Sequence, residues 1–167
     1  MQTISITDRG TIHKCNNDSF LDLIEKISAL CNLEITHYGI SITNKNTGQL
    51  KKYKRRNLLY NYLLNNELER IGFFSVPDDF GTVAYDYLLS ISINYKNNYI
   101  IATFDKNIIN HLGIEEVKII LDTFMDKPYV QETYTMDKEE TPLLYALGIK
   151  KDFKTLKILS SGVVKEE

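Results

Sequence analysis

Apolar and polar residues alternate over residues 3–7, with Ile4 and Ile6 on one side and Thr3, Ser5 and Thr7 on the other. That period of two is the mark of a half-buried strand. Asp8-Arg9-Gly10 then reads as a turn, and Thr11 to Lys14 as a short return strand. The period changes at Ser19-Phe20-Leu21-Asp22, which has the form of a capping box. Phe20, Leu23, Ile24, Ile27, Leu30 and Cys31 recur at helical spacing and predict a helix over 19–31, stopped at Asn32. Ile35 to Thr43 predicts a strand with Thr36, Tyr38, Ile40 and Ile42 on one face. Asn44 to Gly48 is turn chemistry, and Gln49 to Tyr53 returns as the second arm of a hairpin.

A longer helix is predicted over 55–71, with Leu58, Leu59, Tyr62, Leu63, Leu64, Leu68 and Ile71 on a broad apolar face and Gly72 as its left-handed stop. Phe73 to Thr82 reads as a loop. Leu89, Ile91 and Ile93 alternate with Ser90, Ser92 and Asn94, turn at Lys96-Asn97-Asn98, and return through Tyr99 to Phe104. A helical turn or two over 106–112, stopped by Gly113, precedes a helix opened by Glu115 and Glu116 with Val117, Ile120, Leu121 and Phe124 on its buried stripe. Tyr129 to Met136 predicts a strand, and Thr141-Pro142 opens a short helix ending at Gly148. Leu156 to Leu159 is a last short strand, and the chain frays from Val163. The expectation is one α+β domain over 1–162 with a loose tail over 163–167: a mixed, mostly antiparallel sheet built from hairpins, with helices packed on one face.

At 167 residues the chain is long enough to bury roughly 70% of its unfolded surface, so it folds without a metal or disulfide staple. No run approaches a membrane span, and the first residues lack the basic and apolar segments of a signal peptide. The expectation is a cytoplasmic protein without membrane contact. Cys15 and Cys31 match no metal or redox spacing and are expected to be reduced thiols, Cys31 as a small apolar residue.

The chemistry of known catalytic motifs is missing. His13, His37 and His111 have no second ligand at metal spacing, there is no nucleophile elbow, and no Gly-x-Gly is present to cradle a phosphate. The chain is therefore read as a binding protein and not an enzyme, needing no cofactor and no metal. Asp78-Asp79 follows Val76-Pro77, and Asp86 lies between Tyr85 and Tyr87. Turn chemistry is one explanation of Asp78-Asp79, a partner-contacting acidic loop a second, and a catalytic or metal-binding pair a third. In the second, carboxylates steer toward a basic surface and tyrosines supply the desolvated anchors. The basic run Lys51-Lys52-Tyr53-Lys54-Arg55-Arg56 is either a solvated hairpin arm or a phosphate-gripping patch with one aromatic. The net charge is −2, and outside this run 15 cations face 22 anions, which argues against a general polyanion binder but not against a local patch. Tyr53, Tyr60, Tyr62, Tyr85, Tyr87, Tyr95 and Tyr99 concentrate in the central third and form a possible recognition surface.

An early helix over Ser19 to Cys31, two hairpins, the acidic Pro77-Asp78-Asp79 and no active site give a character that resembles the cytosolic immunity proteins of bacterial contact-dependent and polymorphic toxin systems. The resemblance implies a small α+β chain that plugs or blocks one cognate toxin domain by protein–protein interaction. Several such toxins are nucleases, whose basic clefts accept an acidic plug. Two alternatives remain: a small nucleic-acid-binding or regulatory protein using residues 51–56, and a phage-encoded inhibitor of a host defence protein. The oligomeric state is left open.

Overall fold

In the computed structural model the cleanest alternation of the sequence becomes the middle of a sheet. Residues 1–13, 17–42, 45–46, 50–55, 57–64, 68–77, 87–148 and 152–167 are described. The elements run β1 (Gln2–Arg9), α1 (Asn17–Leu30), β2 (His37–Ile42), β3 (Lys45–Asn46), β4 (Lys51–Lys52), a 3₁₀ turn (Tyr53–Arg55), α2 (Asn57–Leu64) and β5 (Leu68–Ser75). They continue as β6 (Leu89–Asn94), β7 (Tyr99–Asp105), α3 (His111–Asp122), β8 (Tyr129–Asp137), a second 3₁₀ turn (Lys138–Glu140), α4 (Pro142–Ala146) and β9 (Lys157–Val164). The strands form one sheet in the order β3-β2-β5-β6-β7-β1-β8-β9, with β4 also on β2. Each pairing between these strands is antiparallel. The chain is thus a single α+β domain.

One face of the sheet carries Tyr38, Ile40, Ile71, Phe73, Leu89, Ile91, Ile93, Ile100, Ala102, Phe104 and Ile6, and α1, α2 and α3 close over it with Phe20, Ile24, Ile27, Leu59, Val117 and Leu121. Phe20 stands edge-on to Phe124 at 5.6 Å and tilted against Phe73 at 5.7 Å, tying α1 to both the sheet and the end of α3. The opposite face is covered as well, which the alternation in β1 does not foretell. There α4 sets Ala146 against Tyr99 and Ile101. Beneath it the polar side of β1 is buried and internally paired: Ser5 Oγ to Thr103 Oγ1 at 2.9 Å, and Thr7 Oγ1 to Tyr134 Oη at 3.1 Å. Hydroxyls both donate and accept, so facing pairs satisfy one another without water. Arg9 closes this layer by donating to the carbonyl of Ala146 at 2.8 Å. The helices therefore occupy both faces, not one.

The largest correction falls on 55–71. The helix ends at Leu64, and Leu68–Ser75 is the strand between β2 and β6. Gly72 is no helix stop. It lies mid-strand beside Gly39 of β2, and a Cβ there would stand 3.0 Å from the Phe74 ring. Its bareness lets that ring fold back over the strand. Phe73 to Ser75, read as loop, belong to this strand, and Pro77 leads out of it.

Elsewhere long-range pairing overrides a local signal along much of the chain. Asp8 and Arg9 extend β1 instead of turning, opposite Gln131 and Val130 of β8. The expected return strand at 11–14 is a single bridge from Ile12 to Met125 among its described residues. Helix α1 starts at Asn17, which puts Ser19 inside the first turn and not at the cap; Asn32 does stop it, with φ of 54°. Val163 and Val164 do not fray but pair with Val130 and Tyr129, and Ser160-Ser161-Gly162 lie within β9. Lys45 and Asn46, expected in a turn, form β3 against Ile42 and Ser41 of β2; Asn44, Thr47 and Gly48 lie outside the described residues.

Helix α3 begins before Gly113. Asn110 caps it, its side chain accepting from the Gly113 amide at 2.8 Å. Asn110→Ala should cost about 1 kcal/mol of folding stability, the usual worth of such a cap, read from urea unfolding. A loss within error would mean the amide is equally well served by water.

Candidate functional site

The acidic segment singled out by sequence joins the ends of two neighbouring central strands. Asp78, Asp79, Tyr85 and Asp86 lie outside the described residues. The points where that segment leaves and rejoins the fold are firmly held. On the leaving side, the Val76 amide donates to Thr36 Oγ1 at 3.1 Å. On the returning side, the Leu88 amide donates to the Ser75 carbonyl at 2.8 Å. Tyr87 is half-buried, its ring 6.3 Å from that of Phe74. Lys138, itself buried, donates its ammonium to the Tyr87 carbonyl and stands 4.5 Å above the Tyr87 ring. Such cation–ring contacts strengthen as water is excluded. The sequence reading makes Tyr87 a contact residue. In the structure its ring and carbonyl are engaged within the chain, which makes it a root of the segment.

The aromatic of the basic run is not available as a platform. Tyr53 is buried, edge-on to Phe73 at 6.3 Å, and its hydroxyl donates to Glu25 of α1 at 2.8 Å. It cannot stack on a base. Lys51 is half-buried, while Lys52 and Lys54 are exposed; the side chain of Arg55, and Arg56 altogether, lie outside the described residues. Lys52 faces His37 across the β2–β4 pair. Burial and then this cation hold the imidazole below its ordinary pKa. Nor do the described tyrosines share one surface. Tyr53 points into the core under α1, Tyr99 is buried on the α4 side, and Tyr60 donates to Asp18 at 3.4 Å. Tyr85 is outside the described residues, as is the side chain of Tyr62.

The residue that sequence reasoning missed is Asp8. It follows Ile4 and Ile6 in the same period-two register and is fully buried on the face covered by α3. Neither carboxylate oxygen has a hydrogen-bond partner within 3.5 Å. Its pKa is pushed up from the ordinary 3.8 to about 7. Loss of water is the main cause; Gln131 pulls the other way, the Asp122 carboxylate adds repulsion, and Lys118 opposes it. Asp122, the last residue of α3, accepts from the Tyr129 hydroxyl at 2.7 Å and pairs with Lys127 at 3.3 Å. Burial and this bond keep the Tyr129 phenol protonated far above its usual range. Extending the alternation two residues further, from Ile4 and Ile6 to Asp8, would have found the group. At zero exposure Asp8 is closed off from solvent in the folded chain.

The histidines and the described cysteine fit structural roles. His13 pairs with Asp126 at 3.1 Å on the surface, and His111 opens α3. Burial lifts the Cys31 thiol to about 11, leaving no thiolate at neutral pH. Among the described residues no three His, Cys, Asp or Glu side chains are grouped to hold a metal ion. No helix among them is long and apolar enough to cross a membrane. No family model, curated protein or solved structure matches the chain.

Proposed function

We propose that this chain is an immunity protein that binds one bacterial toxin domain and neutralises it by protein–protein contact, acting in the cytoplasm and carrying no catalysis of its own. One observation carries the reading: residues 78–86, with three carboxylates, spring from two roots fixed by Thr36, Phe74 and Lys138 at the ends of central strands. Connections rooted on a rigid scaffold carry binding residues more often than the scaffold itself. The acids suit a basic cleft, where they steer approach and set orientation. The nucleic-acid alternative is weakened by the burial of Tyr53, which takes away the one aromatic of the basic run.

The test starts with the tagged full chain, purified from its native host with whatever it binds and identified by mass spectrometry. Asp78→Lys with Asp79→Lys should slow association with the recovered toxin by about tenfold or more at low salt, with the difference shrinking as salt rises. The urea midpoint should be unchanged. Unaltered association and full protection of cells by this double variant would remove residues 78–79 from the contact. Neutralising Lys51, Lys52, Lys54, Arg55 and Arg56 should leave protection intact; its loss, with salt-sensitive binding to DNA or RNA, would favour the nucleic-acid reading.

A further inference from the structure

The two edges of the sheet are built differently. One edge ends in β3 and β4, two residues each and carrying Lys45, Lys51 and Lys52, the short cationic form that discourages further pairing. The other ends in β9, eight residues long, which pairs with β8 alone among the described strands. Residues 157–163 are exposed, including Ile158, Leu159 at 49% and Val163 at 56%. The register places Val163 beside the exposed Val130 and puts Ile158 on that same face. The guards of this edge are slight: a register shift near Leu159 and one lysine at its start, with no proline. An open row of amides and carbonyls flanked by apolar side chains is a template for one more strand.

We propose that the strand it takes is β9 of a second copy, joined antiparallel about a two-fold axis through Ser161, so that two sheets become one. The segment is complementary to itself in that arrangement. Ser160 meets Gly162 of the second copy, and Ile158 with Leu159 at the bulge meets Val163, all on matching faces. Lys157 falls opposite Val164 and diagonal to Glu166, so the cationic start of each strand lies along the acidic stretch that follows the other. Diagonal neighbours at this spacing are within reach of long side chains. A two-fold contact closes on itself, so it satisfies the edge without opening the way to a filament. This proposal is independent of the toxin reading.

Sedimentation velocity of the full chain over a concentration series into the high-micromolar range should show a monomer–dimer equilibrium. Ile158→Lys with Val163→Lys should raise the dimer dissociation constant by at least about tenfold, by losing the apolar pairs and setting like charges opposite one another. Lys157→Glu and Glu166→Lys should each weaken the dimer, and the two together should restore it, which a merely unfolded edge would not do. Ser161→Cys should give a covalent dimer under mild oxidation that the parent chain does not form, since residues directly opposite across the axis come within disulfide reach. Circular dichroism melts check that the variants remain folded. A chain monomeric at every concentration overturns the proposal. So does a dimer that survives the double lysine substitution, or one that fails to cross-link through position 161.

Discussion

Replacing Ile91 by alanine is expected to destabilise the fold by roughly 2–5 kcal/mol. Ile91 has no exposure and sits in β6, between Phe73 of β5 and Ala102 of β7, in the same apolar cluster as Val117 and Leu121 of α3. Strands flank it on both sides and helices cover it, so the surroundings cannot collapse easily into the space. The cost then includes the cavity as well as the lost transfer energy. Urea unfolding at constant slope is the measurement. A loss below about 1 kcal/mol would mean the side chain faces solvent and the register is off by one residue.

The second large effect runs in the opposite direction. Asp8→Asn should raise stability at pH 8 by roughly 2–4 kcal/mol and change it little near pH 4. The sign follows from linkage. Folding lifts the Asp8 pKa from 3.8 to about 7, so between those values the native chain holds a proton that the unfolded chain has released. The stability Asp8 permits is fully present below about 4 and is lost as pH rises through 7. Each pKa unit is worth 1.36 kcal/mol, so the full penalty approaches roughly 4 kcal/mol. Other carboxylates give the parent its own pH profile. The difference between the urea midpoints of variant and parent at pH 5 and pH 8 isolates Asp8. An equal difference at both values would show that the carboxylate reaches solvent or a cation when charged.

The sequence announced some elements and concealed others, for physical reasons. The β6–β7 hairpin was readable because its apolar residues alternate without a break and Lys96-Asn97-Asn98 supplies the turn, with Asn98 at φ of 53°. Helix α1 was readable because its apolar face repeats cleanly up to Asn32. Strand β5 was hidden because Leu68 and Ile71 fall four and seven residues after Leu64, at helical spacing; only its neighbours β2 and β6 decide for strand. Strand β9 was readable only at its start, up to Leu159, because Ser160-Ser161-Gly162 looks like tail chemistry and its exposed positions carry no burial pattern. At the candidate site, sequence supplied the acids at 78, 79 and 86 but not how their segment is rooted. The grip of Lys138 on Tyr87 joins residues 51 positions apart and leaves no local trace. Asp8 was lost because an acid beside Arg9 and Gly10 resembles a turn, whereas burial follows from β8 arriving more than a hundred residues later.

The place of β1 also governs how the chain must be assembled as it is made. The strand spans residues 2–9, yet its two partners are residues 99–105 and 129–137. The meander from β5 through β7 needs only near neighbours and can pair as it emerges. β1 meanwhile waits, with Ile4, Ile6 and Asp8 in water, until β7 and then β8 have left the ribosome. At usual elongation rates that interval is on the order of ten seconds. Once it emerges, β7 presents an open apolar edge, and β1 is the strand that must reach it first. An acid near the end of the waiting strand keeps it hydrated and slow to join a stranger, at the cost of a charge that must shed its water or gain a proton when the sheet finally closes.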